Sequence, residues 1–142
     1  MSLSRFRKTI VLAAEDEFVA AVARKLRDAH VGCVVVTRGA HPVGVVTDRD
    51  IAIRIVAEER DPRTTRVSEI VTYDPVVVRD DDGIDTASAR MREHGIRRLP
   101  IVDAQGNVVG MVTADDLVVL LGRELANVCE GIEESADTSD SR

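Results

Sequence analysis

The chain has 142 residues, is 44% hydrophobic but only 2% aromatic, and carries a formal net charge of −6. This length suits one compact domain, or two small joined halves, with an aliphatic core. The basic residues do not cluster into a patch that would bind nucleic acid, and no apolar run approaches the ~18–20 residues of a membrane span. We therefore expect neither a nucleic-acid partner nor a membrane partner.

Few side chains in the sequence suggest catalysis or metal binding. Cys33 and Cys129 are far apart and form no CxxC pair, and the histidines are scattered. The sequence contains no nucleophile elbow, phosphate-binding glycine loop or metal-ligand cluster, so we expect no catalytic residues, no catalytic cofactor and no metal site. The N-terminus lacks the apolar segment of a signal peptide, and unpaired cysteines suit a reducing compartment. Together these features predict a cytoplasmic location.

The two halves of the chain predict the same order of elements, namely strand, helix, strand, strand, helix. Strands are predicted from short apolar or β-branched runs, and helices from apolar residues at helical spacing. In the first half the strands span 10–13, 33–37 and 43–46, and the helices include 18–26 and 48–57. In the second half the strands span 76–78, 99–102 and 108–112, and the helices span 84–94 and 114 to about 128. Gly95 can end helix 84–94 in a left-handed conformation.

An internal repeat supports this division. The segments from Gly44 to Ile51 and from Gly110 to Leu117 both read Gly-apolar-Val-Thr-x-x-Asp-apolar. One copy alone would bury too little surface, so we expect an α/β (α+β) fold of two β-α-β-β-α repeats packed about a pseudo-two-fold axis. The predicted divisions are a lead-in over 1–8, a first repeat over 9–60, a linker over 61–68, a second repeat over 69–128 and a disordered acidic tail over 129–142.

The two Thr-x-x-Asp motifs allow two interpretations. Thr47 with Asp50, and Thr113 with Asp116, have the spacing of a capping box at a helix N-terminus. The same groups could hold a ribose phosphate, because a first-turn carboxylate can accept both ribose hydroxyls and free N–H groups suit a phosphate. The preceding glycine would then let another group approach the backbone closely. Spacing alone favours the caps.

These segments resemble the signature segments of CBS (cystathionine-β-synthase) domains. The resemblance rests on Gly44 to Asp50 and Arg98 to Asp103, and it covers roughly Thr9 to Val128. The chain is especially similar to small bacterial stand-alone CBS-pair proteins, including hypoxic-response proteins. The resemblance implies a homodimer that binds AMP, ADP, ATP, NAD or S-adenosylmethionine in the cleft between the repeats.

The same resemblance implies two pockets, each formed by both repeats. One pocket would use Asp116 and Thr113 for the ribose, Arg97 and Arg98 for the phosphate, and Ile10, Val31 and Gly32 beside the adenine. The twin pocket would use Asp50 and Thr47 for the ribose, Arg49 for the phosphate, and Val76 and Ile96 beside the adenine. Because Gly32 and Cys33 align with the two arginines, we expect tighter phosphate binding in the Asp116 pocket. Arg97 and Arg98 could instead pair with the acids at 80–82.

The first interpretation of function is a regulatory module that senses an adenosine-containing ligand and signals to a regulated protein on a separate chain. The alternative is a ligand-free interaction or dimerisation module, in which the Thr-x-x-Asp motifs only cap helices. The last predicted helix has more apolar residues than its own packing needs, among them Leu121, Leu125 and Val128. Either a dimer contact along this helix or packing on the chain's own core would account for these residues.

Overall fold

A computed structural model describes residues 1–140 of the chain. The strands are β1 (Leu12–Ala13), β2 (Cys33–Arg38), β3 (His41–Thr47), β4 (Thr72–Tyr73), β5 (Val78–Arg79), β6 (Arg98–Val102) and β7 (Val108–Thr113). The helices are α1 (Val19–Ala29), α2 (Asp48–Ile51), α3 (Ile84–His94) and α4 (Ala114–Asp140). A π-helical turn, Ala52–Val56, continues α2, and 3-10 turns lie at Leu3–Phe6 and Val67–Glu69.

The strands form two small sheets with the same internal pattern. In the first sheet β1 is parallel to β2, while β2 and β3, and β3 and β4, are antiparallel. In the second sheet β5 is parallel to β6, and β6 is antiparallel to β7. Cys33 lies opposite Thr47, and Arg98 lies opposite Thr113, so Cys33 and Arg98 are equivalent positions. The predicted α+β fold of two repeats is confirmed.

Each half has its own aliphatic core, and a third cluster joins the halves. Along β2, Val34 and Val36 pack into the core of the first half, whereas Cys33 and Val35 pack with Met111 of the second half. These four residues of β2 are all buried. This two-sided burial explains the continuous β-branched run, as predicted for a strand covered on both faces.

The segment preceding each half completes the other half. Leu3 is fully buried in the core of the second half, and the Lys8 N–H donates to the Val109 carbonyl at 3.0 Å. In the reciprocal contact, Val67 and Ile70 are buried in the core of the first half, and β4 pairs with β3. The predicted divisions at 9 and 69 therefore do not match the packed units. The lead-in belongs to the core of the second half, and the segment around Val67 and Ile70 belongs to the core of the first half. Local patterns predict that a strand exists, but they do not identify the sheet it joins.

Gly44 and Gly110 lie where these exchanged segments cross the sheets. A Cβ on Gly110 would lie 2.3 Å from the Phe6 carbonyl oxygen, and one on Gly44 would lie 2.7 Å from the Thr72 carbonyl oxygen. The sequence-based interpretation assigned this space to a group approaching the motif in the ligand pocket. In the structure the backbone of an exchanged segment occupies this space. The glycines therefore make room for the exchanged segments to cross the sheets.

The C-terminal segment differs from the predicted disordered tail, because α4 continues to Asp140. A helix that is already formed removes the cost of nucleation, so the Glu- and Ala-containing segment after 128 can extend it. Residues 141–142 of the predicted tail lie outside the described residues. Across residues 1–140, no helix combines the length and the apolar character that a membrane span requires.

Candidate ligand-binding cleft

Both Thr-x-x-Asp motifs form capping boxes. Thr47 Oγ1 accepts a hydrogen bond from the Asp50 N–H at 3.1 Å, and Asp50 Oδ2 accepts one from the Thr47 N–H at 2.8 Å. Thr113 and Asp116 make the same pair of bonds at 3.1 and 2.9 Å. The predicted capping geometry is therefore confirmed at both positions.

Each cap uses only one oxygen of its carboxylate. The second oxygen of Asp50, Oδ1, lies 3.7 Å from Nη2 of Arg54. Arg54 also donates to the Ile70 carbonyl and, at 3.1 Å, to Thr72 Oγ1. The cap of α2 is thus connected through Arg54 to the exchanged segment that carries β4.

The first of two cavities in the cleft lies between the lead-in, the start of β2 and the end of β7. Its volume is about 360 Å³, and its walls are formed by Lys8, Thr9, Ile10, Val11, Ala29, Val31, Gly32, Cys33, Arg98, Met111 and Thr113. Five of the residues predicted for the Asp116 pocket therefore come together here, namely Ile10, Val31, Gly32, Arg98 and Thr113.

The second cavity lies at the start of β6 and the end of β3. Its volume is about 300 Å³, and its walls are formed by Cys33, Val45, Thr47, Arg49, Gly95, Ile96, Arg97, Arg98, Pro100 and Met111. Thr47, Arg49 and Ile96 were predicted for this pocket. The two cavities share Cys33, Arg98 and Met111, so they adjoin each other across the middle of the cleft.

Arg97 lines the second cavity rather than the first. Each cavity is formed by the start of a strand in one repeat and the motif threonine of the other repeat. Arg97 immediately precedes β6 and is next to Ile96, which lines the second cavity. It therefore belongs with Thr47. Its side chain is 73% exposed and pairs with Asp115 at 2.9 Å, not with the acids at 80–82.

Three further predicted residues lie off the cavity walls described above. Asp116 instead borders a separate depression with Arg5 and Arg123. Val76 packs against the core of the second half. Asp50 is held by its cap and by Arg54.

Arg98 occupies a central position in the cleft. A Cβ on Gly32 would lie 3.2 Å from Arg98 Nη2 and 3.1 Å from Asp48 Oδ2, so the lack of a side chain at Gly32 leaves room for the guanidinium. Lys8 adds a second cation to the first cavity, and sequence reasoning did not identify it. Its position depends on the lead-in crossing to the second sheet beside Gly110, which is a long-range contact.

The electrostatics of both cavities suit an anion. Lys8 and Arg98 line the first cavity, Arg49, Arg97 and Arg98 line the second, and no described residue on either wall is acidic. Burial raises the pKa of the Cys33 thiol to about 11, and the opposing effect of Arg98 is smaller. The thiol is therefore protonated at neutral pH and acts as an apolar part of the wall. Within residues 1–140 no group of His, Cys, Asp and Glu is arranged to hold a metal ion.

Sequence comparison identifies a family for this architecture. The family model of the CBS domain matches residues 4–57 and 67–123. The CBS domain-containing protein YhcV of Bacillus subtilis is 36% identical over 110 residues, which are 78% of this chain and 77% of YhcV. Protein MK0525 of Methanopyrus kandleri is 31% identical over 113 residues, and this match spans 79% of the chain but only 58% of MK0525.

Two solved structures extend the comparison. The CBS domain protein PAE2072 from Pyrobaculum aerophilum, complexed with AMP, is 32% identical, with a TM-score of 0.76 over 89% of this chain and 99% of that one. Hypoxic Response Protein I, solved with two coordinated zinc ions, is 26% identical, with a TM-score of 0.74 over 83% and 97% of the two chains. The predicted resemblance to hypoxic-response proteins is therefore confirmed.

Proposed function

The chain belongs to the CBS domain family, and from this premise we propose that it is a regulatory module that binds an adenosine nucleotide in its cleft. The observation that carries this proposal is the first cavity, where an apolar wall meets two cations. Ile10, Val31 and Met111 would contact the adenine. Lys8 and Arg98 would face the phosphate. The AMP complex of PAE2072 supports an adenosine ligand in this fold.

The charges on the walls favour a phosphate-bearing ligand. AMP, ADP, ATP and NAD carry anionic phosphates, which suit Arg and Lys donors, whereas the sulfonium of S-adenosylmethionine would meet cations. In the first cavity the Thr113 hydroxyl would bond the ribose, while Asp116 lies off this wall and keeps its Oδ2 in the cap of α4. In the second cavity Arg49 and Arg97 would accompany Arg98 at a phosphate.

A nucleotide in the first cavity would contact both repeats. The lead-in and the start of β2 form one wall, while Arg98, Met111 and Thr113 form the other. Binding would therefore favour one relative packing of the halves, and a regulated protein with different affinity for that packing would respond. The proposal involves no catalytic step, and the unpaired thiols of Cys33 and Cys129 suit a cytoplasmic setting.

Thermal unfolding in the presence of AMP, ADP, ATP, NAD and S-adenosylmethionine tests this function. A phosphate-bearing ligand at 100 times its Kd should stabilise the fold by about 2.7 kcal/mol and raise the Tm by several degrees. Lys8→Ala should reduce the shift, while Arg92→Ala, which removes an exposed charge on α3, should not. If no compound shifts the Tm of the wild-type protein, the ligand-free interaction module becomes the better interpretation, with the Thr-x-x-Asp motifs acting only as caps.

A further inference from the structure

One face of α4 carries an exposed apolar seam. The seam consists of Val118, Leu121, Leu125, Val128 and Ile132, whose exposures range from 51% to 69%. The intervals between them are three, four, three and four residues, which is the a/d spacing of a two-stranded coiled coil. Leu117 and Leu120, in the first turns of α4, are buried against the body, whereas the seam residues are exposed.

The part of α4 that carries most of the seam is exposed along its length. Every residue from 121 to 139 is exposed, and no other part of the chain lies within 4 Å of a Cβ built at Gly122 or Gly131. A glycine in a helix interior costs about 1 kcal/mol relative to alanine, and this part of α4 contains two of them. A partner that covers the seam would therefore stabilise this part of α4.

We propose that this partner is the seam of a second copy of the chain, packed as a parallel, in-register coiled coil. The residues flanking the seam are mostly small and uncharged, namely Gly122, Cys129, Gly131 and Ala136, with Glu124 as the only charge between them. In a parallel pair Glu124 faces Cys129 of the second copy, so no like charges meet.

The surroundings of the seam support the same occupant. At its N-terminal end the seam continues into an apolar groove of about 440 Å³ between α3 and α4, lined in part by Ile84, Met91 and Leu117. At its C-terminal end the seam extends beyond residue 123, where the match to the family model stops. The contact is thus additional to the ligand cleft, and it does not depend on the proposed nucleotide.

The mass of the full-length protein in solution tests this interface. Leu125→Glu combined with Ile132→Glu places charges in the seam at positions that are exposed in the single chain, so the body should fold normally. This variant should have half the mass of the wild-type protein in sedimentation velocity. The control, Ala126→Glu with Asn127→Glu, adds the same charge off the seam and should keep the wild-type mass. A seam variant with the wild-type mass, or a monomeric wild-type protein, would overturn the proposal.

Disulfide trapping tests the orientation of the two helices. In a Cys129→Ser background, Val128→Cys should form an interchain disulfide under mild oxidation, because a parallel pair brings the two 128 positions together at a d layer. Asn127→Cys in the same background points away from the seam and should remain reduced. A cross-link at 127 but not at 128 would refute the parallel register.

Discussion

Gly110 illustrates how the absence of a Cβ permits the interlocked fold. The lead-in backbone crosses so closely that a Cβ at this position would lie 2.3 Å from the Phe6 carbonyl oxygen and 3.0 Å from Arg7 Cα. We expect Gly110→Ala to lower the free energy of unfolding by about 1–3 kcal/mol, the usual cost of overpacking. Urea denaturation measures this change.

Gly122→Ala is the matched control for Gly110→Ala. A Cβ at Gly122 meets nothing within 4 Å, and the residue lies in the interior of α4, where alanine is the better helix former. This substitution should leave the stability unchanged or raise it. Equal losses from the two variants would show that the close crossing at Gly110 does not exist in solution.

Glu15 makes a pH-dependent contact between two strands of the first sheet. Its carboxylate accepts hydrogen bonds from Arg38 of β2 at 2.5 Å and from the Tyr73 hydroxyl of β4 at 2.7 Å. The Arg38 guanidinium, followed by the Tyr73 hydroxyl, holds the pKa of Glu15 below its usual value of 4.5. A carboxyl whose pKa is lower in the folded state stabilises the protein above the unfolded pKa, and this stability is lost as the pH falls through the folded pKa.

Glu15→Gln should therefore destabilise the protein at pH 7, and its difference from the wild-type protein should shrink as the pH falls below 4.5. Denaturant unfolding at a series of pH values measures this difference. Glu58→Gln, at an exposed residue in the turn after the π-helical segment, is the control. A Glu15→Gln difference that is constant from neutral to acid pH would contradict the assigned contact.

The residues that sequence reasoning placed correctly are those whose contacts are local. Thr113 and Asp116 are three residues apart, so helix geometry alone brings each side chain to the other's backbone. Arg97 lines the second cavity rather than the first, because its neighbours depend on how the two halves pack. Lys8 was missed for the same reason, since nothing near it in the sequence indicates that its segment joins the second sheet.

At the scale of elements, the exchanged lead-in is a structural part of the second half. Leu3 lies far from that half in sequence, yet it is fully buried in its core, and its N–H donates to the Asp82 carbonyl at 2.9 Å. We expect Leu3→Ala to lower the free energy of unfolding by about 2–5 kcal/mol, the range for buried leucines. Leu12→Ala, at a residue that is 39% exposed, should cost less. An equal or smaller loss at Leu3 would mean that the lead-in is not docked.

The helices and central strands could be predicted from the sequence because the spacing of their apolar residues follows which side chains are buried. β2 shows a β-branched run because both of its faces are covered, and α3 ends where predicted, at Gly95 with φ of 63°. The two-residue strands β1, β4 and β5 depend on partners far along the chain, and β4 was not predicted. The extension of α4 was also missed, because the polar composition after 128 indicates solvent exposure rather than loss of helix.

For the whole molecule, the same contacts that join the halves also shape the cleft. The lead-in that buries Leu3 continues into Lys8 and Ile10 on the wall of the first cavity. The cluster of Cys33, Val35 and Met111 joins the two halves. Two of its members, Cys33 and Met111, line both cavities. A ligand that stabilises one cavity therefore acts on the packing between the halves, which is the requirement for a regulatory module.

Arg98 provides the sharpest test of this arrangement, because it lines both cavities, whereas Lys8 lines only the first and Arg49 only the second. If phosphates bind in both, Arg98→Ala should weaken both sites, by roughly tenfold or more for the loss of a charge-assisted hydrogen bond worth about 1.5–3 kcal/mol. Lys8→Ala and Arg49→Ala should each weaken one site and leave the other intact. Isothermal titration with the nucleotide that gives the largest thermal shift separates these cases by affinity and stoichiometry. An Arg98→Ala protein that retains one site of wild-type affinity would show that the two cavities do not share this guanidinium.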